Sequence, residues 1–285
     1  MQSWAERQRE LARIAACQLF FVGGAPRSGT TWLQHLLDAH PEVCCRGEGL
    51  FMKHLAEPLD TMMEERRNAV AAKNERVFRH SGGYPVPEVE DGEHLLATAI
   101  LLALSRQCEG KTYRAVGEKT PENVFFFPRL KALFPNAKFI GVARDPRDVL
   151  ASAWHFFHKA KGADAEKRDF IRLALPSLQQ GTRAMLTLRE KHPADCMLVT
   201  YERLHAATDA TAAELFRFLG VSDETAVVAG CVARTSFAAL AGGDAAFFRK
   251  GAVGDWPATL SPEMSRMIVG ELGWAFPLFG WDAAC

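Results

Sequence analysis

A short glycine-containing segment near the amino terminus carries residues suited to hold a phosphate or sulfate. Residues 24–32 read Gly-Ala-Pro-Arg-Ser-Gly-Thr-Thr-Trp, and they follow an apolar run and open a helical pattern. Free backbone N–H groups point out of a helix start, and the helix dipole favours negative charge there. Gly29 lets the backbone approach a ligand closely. The segment therefore predicts an anion-binding loop, with Arg27, Thr30 and Thr31 as donors.

This loop departs from the Walker A sequence G-x-x-x-x-G-K-[ST], because Thr30 stands where the lysine is required. No acidic residue suited to hold magnesium ends an apolar strand, since Ala143 is followed by Arg144 and Thr200 by Tyr201. P-loop enzymes that use ATP hold its phosphates with this lysine and its magnesium ion with such an acid. A nucleotide or small-molecule kinase is therefore the weaker alternative, and a non-catalytic nucleotide-binding protein is another.

A second basic motif, residues 142–152, reads Val-Ala-Arg-Asp-Pro-Arg-Asp-Val-Leu-Ala-Ser. Asp145 is a typical helix N-cap and Pro146 a typical first helical residue. Arg144 therefore lies at the carboxyl end of a strand, where open α/β sheets bind ligands. Ser152 follows about two helical turns later. An arginine and a serine that face one crevice suit a phosphate monoester.

A third basic motif lies in the glycine-rich and weakly periodic segment 235–260. Arg249 and Lys250 precede Gly251, and Gly-Asp-Trp follows at 254–256. Two cations beside a glycine can close over a bound anion. Taken alone, however, this pair is more typical of a solvated surface.

The elements that position these motifs alternate between apolar strands and helices. Four apolar runs predict buried strands: Leu19–Gly23, Tyr113–Gly117, Lys138–Ala143 and Cys196–Thr200. Helical patterns include Thr30–Leu37, Asn123–Leu133, Leu95–Arg106 and Asp169–Lys191, and Val43–Arg46 adds a short strand. This alternation predicts an α/β fold in which helices flank a parallel sheet. No linker is evident, so residues 1–285 are expected to form one domain, with a weakly patterned, mobile or partner-facing insert at about 53–92.

The composition is that of a folded protein. The 285 residues include 34 Lys+Arg and 34 Asp+Glu, and 48% are hydrophobic. This hydrophobic fraction excludes a disordered or fibrous chain. Because the net charge is zero, no whole-molecule field attracts nucleic acid or an acidic membrane, and neither partner is expected.

The seven cysteines form no CxxC pair, which favours reduced thiols and no metal site. The longest apolar stretch, Leu95–Leu104, is far shorter than the ~20 residues that span a bilayer. Residues 1–16 are charged and lack the apolar core of a signal peptide. The sequence therefore predicts a cytoplasmic protein without a membrane span.

The three motifs together resemble those of sulfotransferases that use 3′-phosphoadenosine-5′-phosphosulfate (PAPS). Residues 26–32 resemble the loop that binds the 5′-phosphosulfate, and residues 144–152 resemble the 3′-phosphate motif. Residues 249–256 resemble the RKG…GDW element of the cytosolic enzymes. Tyr201, at the end of a predicted strand, is similar to the family's tyrosine near the adenine. The resemblance spans nearly the whole chain, and three motifs in order are more specific than any one.

This resemblance implies a P-loop nucleotide-kinase-like sulfotransferase core without a metal. PAPS would be the donor, adenosine 3′,5′-bisphosphate (PAP) the product, and a small molecule, glycan or peptide the acceptor; the oligomeric state is left open. Arg27 and Lys119 would stabilise charge in an in-line displacement. The implied donor-binding residues are Arg27, Ser28, Gly29, Thr30, Thr31, Trp32, Arg144, Ser152, Tyr201, Arg249, Lys250 and Gly251.

The general base does not follow from the cytosolic enzymes, because Pro121 stands where they carry a catalytic histidine. Residues 38–48 instead resemble the segment that supplies a glutamate base in protein-tyrosine and related sulfotransferases. An acceptor hydroxyl needs a base within hydrogen-bond reach. Glu48, which lies between two glycines, is the expected base. The other candidates are Glu118, His155 and His158.

Overall fold

A parallel sheet lies at the centre of the fold. The computed structural model describes residues 3–108, 110–158, 163–236, 239–240 and 252–284. Within these residues five strands pair in the order β2-β3-β1-β4-β5, all parallel. Their bounds are β1 Gln18–Gly24, β2 Val43–Cys44, β3 Ala115–Lys119, β4 Lys138–Ala143 and β5 Cys196–Thr200. The predicted α/β class is confirmed.

Helices connect the strands and cover both faces of the sheet. They are α1 Trp4–Ala15, α2 Thr30–Asp38, α3 Glu57–Val77, α4 Val89–Gln107, α5 Asn123–Leu133, α6 Pro146–His158, α7 Asp164–Lys191, α8 Tyr201–Ala206, α9 Thr208–Phe218, α10 Thr225–Arg234, α11 Pro262–Leu272 and α12 Phe276–Phe279. A π-helix, Met52–Ala56, precedes α3, and 3₁₀ turns occur at Trp256–Ala258 and Gly273–Ala275. The helices predicted at 95–106 and 169–191 are confirmed and extend further towards their amino ends.

Alternate residues of the central strands fill two separate apolar layers. Phe21 packs against Phe139 with ring centroids 5.9 Å apart, and Phe139 meets Phe127 of α5 at 5.1 Å. Phe20 and Val22 point to the other layer, beneath α2, α8, α9 and α10. Full burial of each such side chain contributes ~1.5–3 kcal/mol. Burial on both faces explains why these strands are continuously apolar in sequence.

The register of β3 differs from the sequence prediction and matters for the site. The predicted strand Tyr113–Gly117 lies two residues further along, at Ala115–Lys119, where Lys119 pairs with Val22 of β1. The apolar pattern ends before Glu118, but the pairing of β3 with β1 continues through Glu118 and Lys119. This is possible because both polar side chains find partners inside the protein. Since parallel strands end at one edge, Lys119 lies beside the loop that follows β1.

The sequence pattern of residues 53–92 did not indicate the 21-residue helix α3 that they contain. Met63 is the buried residue of α3, so the helix has little apolar periodicity to detect, although its Glu, Ala, Met and Arg residues are good helix formers. Arg129 of α5 binds Asp60 of α3 at 2.7 Å and Glu93 of α4 at 2.8 Å. Charge pairs therefore tie this segment to the sheet domain.

Across the described ranges, no helix combines the length and apolar character needed to cross a membrane. The cytoplasmic location expected from the sequence stays a prediction. Of the segment 235–260, the structure describes residues 235–236, 239–240 and 252–260.

Candidate active site

The loop between β1 and α2 presents the start of a helix to the edge of the sheet. Gly29 is the N-cap residue, with φ 98° in the left-handed region that favours glycine. It has no side chain to accept a bond from the first turn of α2, so the amides there are free of side-chain capping. A Cβ at Gly29 would lie 2.5 Å from the Tyr201 ring. The predicted anion loop therefore exists and fits closely against the β5–α8 junction.

Ser28 is the most buried polar residue of this loop. Its side chain is fully buried, and its Oγ has no hydrogen-bond partner among the residues that the structure describes. A Cβ at Gly24 would lie 3.0 Å from this Oγ and 2.3 Å from the carbonyl oxygen of Val142. The glycine thus leaves room for a buried hydroxyl whose hydrogen-bonding capacity is unused.

Arg144 lies where the sequence predicted, directly after β4. Its guanidinium donates to the carbonyl oxygens of Arg27, at 3.2 Å, and Ala252, at 2.9 Å, and stacks 4.2 Å from the ring centre of Tyr201. Its Nε is buried and finds no partner in the described part of the chain. Burial raises the pKa of Tyr201 to about 12, so this ring stays neutral. Arg144 therefore joins the anion loop to the start of the described C-terminal segment.

Arg27 connects the first motif to the second. Its Nε donates to Ser152 Oγ at 3.4 Å, and its guanidinium lies 4.7 Å from the ring centre of Phe156. Arg27 has a positive φ of 71°, which is uncommon for a residue with a side chain. The turn thus directs Arg27 towards α6, and Arg27 contacts both Ser152 and Arg144. The expected convergence of Arg144 and Ser152 with Arg249 stays a prediction, because Arg249 lies outside the described residues.

Lys119 and Glu48 form an ion pair beside the first turn of α2. Lys119 Nζ also donates to Thr31 Oγ1 at 3.2 Å. The lysine side chain is 3% exposed, whereas that of Glu48 is 41% exposed. A buried cation therefore lies between the anion loop and a carboxylate that solvent can reach.

Other groups engage the two histidines considered as bases. His155 Nε2 lies 2.8 Å from Thr259 Oγ1, and the His158 ring stacks on Trp154 with centroids 3.9 Å apart. Pro121 occupies the position of the catalytic histidine of the cytosolic enzymes. Its carbonyl oxygen accepts a hydrogen bond from Gly24 N at 2.9 Å. These contacts favour Glu48 over either histidine.

Trp32 and Thr30 face inward from α2. Trp32 is 5% exposed, meets Tyr201 edge-on at 5.7 Å and donates from Nε1 to the carbonyl oxygen of Thr235 at 3.0 Å. Thr30 is 3% exposed. The structure describes only the Gly-Asp-Trp part of the third motif, because Arg249, Lys250 and Gly251 lie outside the described residues.

Asp148 lies at the candidate site, although the sequence did not single it out. Its carboxylate accepts from the amides of Gly254, at 2.8 Å, and Trp256, at 3.0 Å, and lies 3.6 Å from Arg144. Burial raises the pKa of Asp148, against the lowering effect of these amides and of Arg144. Helix α6 thus secures the Gly-Asp-Trp segment beside Arg144.

Glu118 is buried beside the site rather than facing an acceptor. It accepts from Gly49 N at 2.7 Å, from Asn123 Nδ2 at 2.6 Å and from the Thr120 hydroxyl. Its strand position, one residue before Lys119, was the only sequence signal that the two side chains point in opposite directions.

His35 lies one turn beyond Thr31 on α2, and the sequence analysis did not single it out. Burial, followed by the charge of Lys119, lowers the pKa of its imidazole.

In the described part of the chain, no group of three or more His, Cys, Asp or Glu side chains is arranged to hold a metal ion. The cations of the site belong to the protein itself. Arg27, Lys119 and Arg144 all lie at the edge formed by the carboxyl ends of the strands. Three cations at one edge suit a polyanion, and the carboxylate of Glu48 lies beside them.

Comparison with known proteins gives a matching family model and several relatives whose names include protein-tyrosine sulfotransferase. A model of the sulfotransferase family matches residues 20–225. Protein-tyrosine sulfotransferase 2 of Gallus gallus is 27% identical over 205 residues, or 72% of this chain and 51% of that protein. The protein-tyrosine sulfotransferase of Drosophila melanogaster is 25% identical over 227 residues, or 78% of this chain and 42% of that protein. The chain thus spans about half the length of these curated relatives.

Solved structures of similar fold include a mouse sulfotransferase complexed with PAP, with a TM-score of 0.57 and 16% identity over 94% of this chain and 88% of that chain. A sulfotransferase from Mycobacterium avium has a TM-score of 0.55 and 15% identity over 98% of this chain and 81% of that chain. At these identities the likeness concerns the fold.

Proposed function

The chain belongs to the sulfotransferase family, and on that premise we propose that it transfers a sulfuryl group from PAPS to a hydroxyl or amine of an acceptor, releasing PAP. The observation that carries this proposal is the position of Lys119, whose ammonium group contacts both Thr31 of the anion loop and Glu48. An anion loop, a fixed cation and a carboxylate in contact are the parts that such a transfer needs.

The residues present fit a donor with two anionic ends. Leaving a buried polar atom without a partner costs ~1–3 kcal/mol. Ser28 Oγ and Arg144 Nε are such atoms among the described residues, and anionic oxygens placed against them would remove that cost. Ser28 and the first amides of α2 would hold the 5′ end of the donor. Arg144 and Ser152 would hold its 3′-phosphate.

When bound, PAPS supplies an activated sulfuryl group whose bond to the 5′-phosphate breaks as the acceptor oxygen attacks. Glu48 accepts the acceptor's proton as the new bond forms. Arg27, Lys119 and the α2 amides stabilise the negative charge that passes to the leaving phosphate oxygen. Protonation of Glu48 also neutralises its carboxylate and so ends the ion pair with Lys119. The ammonium group is then left to stabilise the charge on the leaving oxygen in the same step.

The acceptor is proposed from the relatives' names alone. They make a tyrosine-containing peptide the first acceptor to test, ahead of small phenols and glycans. Because the chain spans about half of these relatives, their acceptor is a starting point for the test rather than a property carried over.

The test is transfer of label from ³⁵S-labelled PAPS to a panel of a tyrosyl peptide, phenols, amines and glycans. We expect a sulfated product and PAP in equal amounts, without added metal. Calorimetry with PAP alone measures binding separately. Tight PAP binding with no transfer to any acceptor would indicate a non-catalytic nucleotide-binding protein. Magnesium-dependent consumption of ATP would indicate a kinase.

A further inference from the structure

The segment that carries Glu48 has an unusual backbone. Residues 47–50 lie between β2 and the π-helix and form neither helix nor strand. Gly47 has φ 62° and Leu50 φ 52°. The left-handed region is sparsely populated by residues with a branched side chain, so Leu50 stays there only because surrounding contacts hold it.

Two consecutive amides of this segment bind the end of β3. Gly49 N donates to Glu118 Oε1 at 2.7 Å, and Leu50 N donates to Thr120 Oγ1 at 3.3 Å. The Thr120 hydroxyl in turn donates to Glu118 Oε1. The carboxylate and the hydroxyl thus hold the backbone immediately after Glu48 by hydrogen bonds.

Glu118 is itself anchored to the sheet. Its second oxygen, Oε2, accepts from Asn123 Nδ2 at 2.6 Å, and the same amide group donates to the carbonyl oxygen of Val22 at 3.2 Å. Glu118 is 2% exposed. The backbone beside Glu48 is therefore connected through Glu118 and Asn123 to β1, the strand that leads into the anion loop.

We propose that Glu118, assisted by Thr120, is a positioning residue for Glu48: it fixes the backbone of residues 49–50 so that the Glu48 carboxylate stays against Lys119. Successive strand residues point to opposite faces, so the end of β3 supplies both the support of this segment, through Glu118, and the ion-pair partner, through Lys119. The catalytic consequence rests on the proposed function of Glu48, whereas the backbone contact does not.

A glutamine at position 118 is the sharpest probe, because it keeps the shape of the side chain. Donors converge on both oxygens of Glu118, from Gly49 and Thr120 on one and from Asn123 on the other. A glutamine amide would turn an N–H group towards at least one of these donors. The grip on the backbone should therefore loosen while side-chain volume is conserved.

The experiment compares Glu118→Gln, Thr120→Ala and Thr120→Ser. Hydrogen exchange measures protection of the Gly49 and Leu50 amides, calorimetry measures PAP affinity, and labelled PAPS measures kcat. We expect faster exchange of both amides and a fall in kcat of ~10²-fold in Glu118→Gln, the loss typical of a misplaced catalytic group, with unchanged PAP affinity. Thr120→Ala should expose the Leu50 amide, and Thr120→Ser should restore its protection.

Asp195→Asn is the matched control, because it removes a carboxylate that two lysines contact at the opposite end of the sheet. It should leave exchange of residues 49–50 and kcat unchanged. If Glu118→Gln does not fold, Thr120→Ala tests the same grip through the hydroxyl. Wild-type protection of both amides in folded Glu118→Gln overturns the proposal.

The double variant Glu48→Gln/Glu118→Gln tests whether Glu118 acts through Glu48. Positioning predicts that Glu118→Gln causes no further fall in kcat once Glu48 is replaced, whereas two losses that multiply overturn it. Failure of the proposed base is seen by a different measurement, because Glu48→Gln alone would then keep full turnover. Failure of the proposed function is seen in the wild-type protein, which would then transfer no label to any acceptor. The two failures are therefore separable.

Discussion

The two ends of the sheet hold their charges in different ways. At the amino end, Asp195 precedes β5 and pairs with Lys131 at 2.7 Å and Lys138 at 2.9 Å. These groups are partly exposed, and both lysines contact the one carboxylate. At the carboxyl end, the Lys119 side chain is almost wholly buried, and Arg144 lies against the buried carboxylate of Asp148.

The carboxyl end also keeps hydrogen-bonding capacity in reserve. Ser28 Oγ and Arg144 Nε are buried there without partners among the described residues, and the first turn of α2 faces the same edge. Burial with unused donors, rather than charge as such, therefore distinguishes a ligand site from a structural cluster. Substitutions at the carboxyl end should impair catalysis or donor binding, whereas those at the amino end should not.

Glu48→Gln should cause the largest loss. Removal of a general base lowers turnover by ~10²–10⁴-fold, while PAP affinity should be unchanged because Glu48 contacts Lys119 rather than the loop amides. Turnover with labelled PAPS and calorimetry with PAP are the two measurements. Glu190→Gln, on the exposed end of α7, is the control and should be active. A fully active Glu48→Gln combined with an inactive His155 or His158 variant would assign the base to a histidine.

Lys119→Met should lower turnover by ~10²–10³-fold, the loss expected when a group that stabilises transition-state charge is removed. PAP affinity should fall much less, because the contact matters most as charge develops. Lys131→Met, in the amino-end cluster, is the control and should keep full turnover. Arg27→Met is expected to behave as Lys119→Met does. If PAP affinity fell while turnover at saturation stayed normal, these cations would serve binding alone.

Arg144→Ala should weaken PAP binding by ~1.5–3 kcal/mol, the range for a hydrogen bond to a charged group. Turnover at saturating PAPS should change less than affinity. Arg189→Ala provides the control, because Arg189 binds the carbonyl oxygen of Cys196 at the amino end, 3.1 Å away. Wild-type PAP affinity in folded Arg144→Ala would remove this residue from the donor site.

Asp195→Asn should have the smallest effect and none on turnover. Lys131 and then Lys138 lower the pKa of Asp195 below its ordinary value of ~3.9. Their stabilisation is therefore present above that ordinary value and is lost as the pH falls through the lowered pKa. Urea unfolding at pH 7 should show a loss of no more than ~1 kcal/mol. A series from pH 5 downward should show a weaker acid dependence in the variant, and an equally steep one would contradict the pKa assignment.

Much of this protein could be predicted from its sequence because the relevant signals are local. The strands at 138–143 and 196–200 and helix 123–133 have the predicted bounds, since each is a compact apolar or periodic run between turn residues. The anion loop was predictable for the same reason: a strand, a glycine in the left-handed region and a helix start follow one another directly. Helix α3 was not, because a helix with one buried residue leaves little pattern.

The α/β class, the anion loop, the position of Arg144 after β4 and the candidacy of Glu48 could thus be read from local sequence. The ion pair of Lys119 with Glu48 and the inward orientation of Glu118 towards the Gly49 amide could be seen only in the folded protein. The physical reason is that these contacts join residues about 70 positions apart, at the meeting of β3 with the segment after β2. No local propensity encodes such a meeting, because it follows from the strand order β2-β3-β1 and the register that brings the strand ends to one edge.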